Sequence, residues 1–90
     1  MTRGAESVRV SVLAAAVARR RKALGLLQSE VAELAGCSER FVHTVEHGKP
    51  SLRLDKLLDV LEVLGLDLVL AAGSGRVRDL RAPDTDVGAS

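Results

Sequence analysis

The sequence predicts an all-α protein: a bundle of four to five helices with one short carboxy-terminal strand that pairs across a dimer. Three observations predict it. Apolar residues recur at spacings of three and four through most of the chain up to Leu64. Glycines at 25, 36, 48 and 65 punctuate those periodic stretches, and the spacing tightens to two only in LDLVL at 66–70. The 90 residues contain one Phe and no Trp or Tyr, so the core must be built from Leu, Val and Ala. A chain of that length makes one domain.

Residues 1–6 read as a flexible start. From about Ser7 or Ser11 a helix fits, with Leu13, Val17 and Leu24 on one face and Arg19, Arg20 and Lys22 left in water. Gly25 supplies the stop, because a helix often ends on a residue with left-handed backbone. A second helix, Gln28 to Ala35, carries Val31, Leu34 and Ala35 on its apolar side and ends at Gly36.

Ser38 then caps a third helix, since its hydroxyl can accept from the free N–H groups of the first turn. Glu39 suits the positive end of that helix. Phe41, Val42 and Val45 face inward, and Gly48-Lys49-Pro50 breaks the chain. A fourth helix runs from about Leu54 to Leu64 on a seam of Leu54, Leu57, Leu58, Leu61 and Leu64.

The strand comes next, over Leu66, Asp67, Leu68, Val69 and Leu70. The chain offers it no second strand, so its natural partner is the same strand of another copy, which predicts a homodimer. Residues 7–72 thus form the folded domain. From 73 to 90 the composition turns to Gly, Ser, Arg, Asp and Pro, and the segment reads as a mobile tail with room for some structure around VRDL at 77–80.

Composition excludes several functions. Net charge is +1, but residues 1–49 carry eight Lys or Arg against five acids, and residues 50–90 carry five against seven. The first half can therefore offer a nucleic-acid face. With a single Phe, base stacking on an aromatic sheet, as in the common single-stranded RNA modules, is nearly excluded. Cys37 stands alone, which leaves no internal disulfide and no cysteine-rich zinc site and fits a reducing cytoplasm. VSVLAAAVA at 10–18 is too short to span a bilayer, and its basic residues follow rather than precede it, so no membrane role or export signal is read. No catalytic grouping, cofactor loop or small-molecule site is apparent. His43 and His47 share the i, i+4 spacing of a helical metal site but lack a third ligand, so none is assigned.

Two short helices joined by the tight turn Gly36-Cys37-Ser38, with a helix on either side, make a helix-turn-helix pattern. In such a unit the second helix enters the major groove of double-stranded DNA. That arrangement explains why the third helix keeps Glu39, Arg40, His43 and Thr44 on one side. Arg40 is suited to guanine, whose N7 and O6 accept a bidentate pair, and Glu39 to a cytosine amino group or simply to the helix dipole. Ser38 can reach DNA as well as cap, and Ser29 and Lys49 are placed for backbone contacts.

The stretch ALGLLQSEVAELAGCSERFVHTVEHGKPS at 23–51 resembles the lambda-repressor-like, or XRE-type, helix-turn-helix family. The residues that carry the likeness are Leu24, Gly25, Leu26, Gln28, Ala32, Gly36, Ser38, Val42, Val45, Glu46 and Gly48. The likeness extends over about residues 13–65. It implies that Gln28 contacts a phosphate and that Glu46 forms a nearly buried salt bridge with Arg21. One position departs from the pattern: Leu27 stands where the family usually has a Thr, Ser or Asn cap.

The passage from Gly65 directly into a strand, within KPSLRLDKLLDVLEVLGLDLVL at 49–70, is similar to HipB-type antitoxins. That likeness implies a dimer that binds operator DNA, represses its own operon and holds a HipA-like Ser/Thr kinase toxin. A stand-alone XRE-type regulator and a protein-binding module without specific DNA binding are the other functions compatible with the sequence.

Overall fold

The computed structural model describes residues 2–81, with side chains from residue 8 onward. Four helices follow in order: α1 at Thr2–Ala23, α2 at Gln28–Ala35, α3 at Glu39–Glu46 and α4 at Leu54–Leu64. Helix α1 begins at Thr2, ahead of both Ser7 and Ser11, so the backbone expected to be a loose start is helical from its second residue. No proline interrupts that segment, and Ala and Arg favour helix. Its last turn holds Arg20, Arg21 and Lys22, cations at the negative end of the helix dipole.

Eight-residue helices such as α2 and α3 are marginal alone. Tertiary burial holds them. Val17 of α1, Val31 and Ala32 of α2, Val42 and Val45 of α3, and four residues of α4 form one buried cluster. Fully burying one such aliphatic side chain is worth about 1.5–3 kcal/mol, well above the few tenths that separate helix propensities. Leu24, expected on the inner face of α1, lies beyond the helix end and is exposed, whereas Leu26 packs against the core.

The seam of α4 is Leu57, Val60, Leu61 and Leu64. Leu54 and Leu58, expected in it, are 57% and 43% exposed. The buried set keeps the i, i+3, i+4, i+7 rhythm of one face, and Leu54 and Leu58 fall on its flank.

No strand forms among the described residues. Leu66 packs against the core, and its N–H donates to the Leu61 carbonyl at 2.9 Å. Asp67 to Leu70 then run as exposed chain without backbone hydrogen bonds to the described residues, and Leu70 is 91% exposed. The alternation of LDLVL suits a strand, but a ladder needs a second one, and none forms among the described residues.

The segment from Gly75 returns to α1. Arg9 donates to the Gly75 carbonyl at 3.4 Å, and Arg19 pairs with Asp79. Residues 73–81, expected to be mobile, thus have two tethers to the first helix; the remainder of the expected tail, 82–90, lies outside the described residues.

Candidate nucleic-acid interface

The turn between α2 and α3 is fixed at both ends by backbone chemistry. Gly36 closes α2 with φ 73° and ψ 32°, a left-handed conformation that lets its N–H reach the Ala32 and Glu33 carbonyls. Cys37 N–H adds a bond to the Ala32 carbonyl at 3.0 Å. The Cys37 side chain packs partly buried against the core, and burial pushes its thiol up; nearby Lys56 opposes the shift and Asp59 adds to it. Ser38 then starts α3, its Oγ accepting from Phe41 N–H at 3.1 Å.

These constraints set the rotation of α3. Val42 and Val45 are sealed in the core, and Phe41 packs at its edge. Glu39, Arg40 and His43 consequently point outward, with Thr44 half-buried at the margin. Ser29, Ser38 and Lys49 are also exposed. The structure therefore leaves every residue expected at a DNA surface accessible except Thr44 and Gln28, which are half-buried.

Gln28 is held by a second feature. Arg21 on α1 grips the Glu46 carboxylate with two parallel bonds, Nε to Oε2 at 2.6 Å and Nη2 to Oε1 at 2.9 Å. Its remaining Nη1 donates to the Leu26 carbonyl at 2.8 Å, and Gln28 Nε2 donates to Glu46 Oε1 at 3.1 Å. One amide N–H of Gln28 is thus occupied by the carboxylate, and the second has no acceptor among the described residues.

The Glu46 side chain is only 5% exposed. Burial alone would push its carboxyl up; the Arg21 and Gln28 hydrogen bonds and the charges of Arg21 and Lys22 outweigh it and hold the group below the usual carboxylate range. Arg21, bonded to Glu46, is raised above its ordinary value in spite of its own desolvation. The network ties the end of α1, the start of α2 and the end of α3 into one unit. It is a frame for the exposed face of α3 rather than part of that face.

Leu27, at the cap position of α2, has no side-chain acceptor. Glu30 compensates in part: its Oε1 accepts from Leu27 N–H at 2.7 Å, which is one half of a capping box.

Three side chains have placements that the sequence did not reveal. Arg20, expected to stay wet, donates through Nε to the Leu64 carbonyl at 2.8 Å and so satisfies the end of α4. Arg19 is drawn to Asp79. His47, at the end of α3, stacks on His43 with ring centroids 3.8 Å apart. The i, i+4 spacing of the two histidines was the one signal for that contact; nothing in the spacing signals the arginine contacts, which join residues far apart in the chain.

A short helix set rigidly against a three-helix frame, with its outer face free, defines a helix-turn-helix module. Residues 12–72 match the model of the helix-turn-helix domain family, and the chain belongs to that family. A protein of Sinorhizobium fredii described as the uncharacterized HTH-type transcriptional regulator y4mF is 42% identical over 57 residues, which span 62% of this chain and 75% of the relative. Two solved structures superpose with a TM-score of 0.66 at 25% identity, over 72% of this chain and 92% of theirs: one described as MDT protein, the other a chain of a HipA-HipB-O2-O3 complex. The fold is therefore XRE-like and similar to that of HipB, and the family is one of DNA-binding regulators, not of enzymes. No helix among the described residues is long and apolar enough to cross a membrane.

Proposed function

We propose that this chain is a sequence-specific DNA-binding dimer of the cytoplasm, acting as antitoxin and autorepressor of a HipA-like kinase toxin-antitoxin operon. The observation that carries the DNA-binding part is the split of α3: Val42 and Val45 buried, Glu39, Arg40 and His43 free on a helix whose start is fixed by Ser38. In this reading Arg40 reads a base edge; Glu39, His43 and Thr44 lie beside it; Gln28, Ser29, Ser38 and Lys49 meet the phosphate backbone.

A single such helix reads only a few base pairs. Pairing of Leu66–Leu70 from two copies would join two modules, and the exposure of Leu68, Val69 and Leu70 supports it. Two recognition helices about 34 Å apart would then demand a palindromic site.

The toxin partner rests on the likeness to the chain of the HipA-HipB-O2-O3 complex. A stand-alone XRE-type regulator is the second reading, favoured by the S. fredii relative, which is described as a transcriptional regulator alone.

Fluorescence polarisation against the DNA upstream of its own reading frame tests the shared claim. Saturable binding that survives competition by unrelated duplex supports it; weak, sequence-blind association would leave a protein-binding module. Co-purification with a kinase encoded next door then separates antitoxin from stand-alone regulator.

A further inference from the structure

His43 and His47 lie one turn apart at the exposed end of α3, with their rings stacked at 3.8 Å between centroids and 27° between planes. His47 is also the last residue of the helix cap, its backbone N–H donating to the His43 carbonyl at 3.0 Å and the Thr44 carbonyl at 3.2 Å. Its ring is tied as well: Nδ1 lies 2.8 Å from the same His43 carbonyl oxygen. A carbonyl oxygen only accepts, so Nδ1 carries the proton and the outer Nε2 edge is left free.

Those contacts make an asymmetry between the two rings. His47 is anchored by backbone and side chain; His43 is exposed, and its ring stacks on that of His47. An exposed side chain otherwise changes rotamer within picoseconds to nanoseconds. Ordering it on binding consumes part of the affinity that a base contact would provide.

We propose that His47 is a positioning residue for base readout: its anchored imidazole holds the His43 ring in one orientation on the outer face of α3, so that His43 meets the duplex preorganised. The inference rests on the reading of α3 as the recognition helix. It adds a role for a residue that need not touch DNA itself. Aromatic pairs of favourable geometry correspond to about a three- to tenfold preference, which sets the upper size of the effect expected from this close stack.

The experiment selects a preferred site for the full-length chain from a random duplex library and measures affinity for that site and for each single base-pair change. His47→Ala is expected to weaken discrimination about three- to tenfold at the positions that His43→Ala also affects. Affinity for random duplex and its salt dependence should stay unchanged. His47→Phe keeps an aromatic face and should retain part of the preference, and the double variant should match His43→Ala alone.

Discrimination unaltered by His47→Ala, a loss at different base pairs, or a loss that adds to that of His43→Ala overturns the proposal. A readout without DNA separates it from the reading it rests on. In the free chain, His47→Ala should shift the His43 ring protons in NMR spectra and average its χ1 couplings. Unmoved His43 signals overturn the positioning role, whereas moved signals in a chain without base preference overturn the recognition reading.

Discussion

Arg21 and Glu46, twenty-five positions apart in sequence, meet as a two-bond pair at 2.6 and 2.9 Å. Side-chain exposure is 13% for the guanidinium and 5% for the carboxylate, so neither charge keeps a full water shell. The geometry compensates: all oxygen and nitrogen atoms of the pair that are buried have partners, with Leu26 and Gln28 completing the set. A charge-assisted fork of this type fixes direction as well as distance. It therefore fixes how α3 is rotated about its axis relative to α1.

Removing one member should cost far more than the pair contributes. With Arg21→Met, the Glu46 carboxylate is left buried without its cation, and loss of one partner of such a pair costs about 3–5 kcal/mol. Partial access to water places the expected value near the lower end. Urea unfolding followed by far-ultraviolet circular dichroism checks it. A cost below about 1 kcal/mol, the ordinary worth of an exposed pair, would contradict the burial described.

The same carboxylate predicts a pH dependence. Its value is depressed in the folded chain, so the unfolded chain binds more protons in the acid range and stability rises with pH there. The contribution should be fully present above the ordinary glutamate value of about 4.3 and be lost as pH falls through the depressed native value. Asp55, an exposed carboxyl lowered chiefly by its hydrogen bond from Arg53, acts in the same direction. Unfolding midpoints between pH 7 and 3 should fall more steeply for the parent than for Glu46→Gln, with Asp55→Asn as the surface control. Parallel curves for parent and Glu46→Gln would refute the assignment.

Arg40 and Lys49 should fail differently in DNA binding. Arg40→Ala is expected to relax discrimination at one base pair by about 1–3 kcal/mol, or roughly 5- to 150-fold. Lys49→Ala should weaken all duplexes alike and reduce the slope of log K against log salt by about 0.9. Titrations on the selected site and its point variants, at several salt concentrations, distinguish them. Arg40→Ala binding with parental discrimination would remove α3 from the groove.

Much of this arrangement could be read from local chemistry. Gly36 and Gly65 mark helix ends because their φ values of 73° and 71° strain any residue with a Cβ, and Ser38 marks a start because a hydroxyl there meets a free N–H. What escaped was set by contacts distant in sequence. Leu54 and Leu58 look like seam residues until the neighbours of α4 select the face through Val60. Arg20 belongs to a basic run that looks solvated until the end of α4 arrives with an unpaired carbonyl. Gln28 looked free for a phosphate because no local rule says that Glu46 occupies one of its two donors. No strand forms in the described single chain for a related reason, since alternation specifies a face but not the partner that completes a ladder.

The two helix-ending glycines allow a test of that distinction between local and distant causes. At Gly36 an added Cβ would meet nothing within 4 Å, so Gly36→Ala should carry only the left-handed backbone penalty, about 1–2 kcal/mol. At Gly65 the Cβ would also lie 3.4 Å from Arg20 Nη2, beside the bond from Arg20 to Leu64. That separation is ordinary van der Waals contact with the end of a flexible side chain, so Gly65→Ala should carry the same backbone penalty, unchanged in an Arg20→Met background. Thermal unfolding of the parent, the three single variants and the Gly65→Ala/Arg20→Met double variant gives the answer; a larger cost at Gly65 that disappears with Arg20→Met would show that the Arg20–Leu64 bond is disturbed.

The Leu66–Leu70 segment is where the dimer can be tested. Its exposed backbone from Asp67 onward makes no hydrogen bond within the described chain, so proline at Val69 should cost little in an isolated molecule. If two copies pair there, Val69→Pro removes a donor from the shared ladder and should convert a dimer of twice 9.5 kDa into the single chain. Leu80→Asp, at a residue 77% exposed but outside the segment, removes a similar apolar surface and should leave the dimer intact. Light scattering reads the mass, and DNA titration should show the Val69→Pro chain losing affinity for a palindrome while retaining its weaker grip on a half-site. A Val69→Pro chain that remains dimeric would place the interface elsewhere and remove the spacing argument for a palindromic operator.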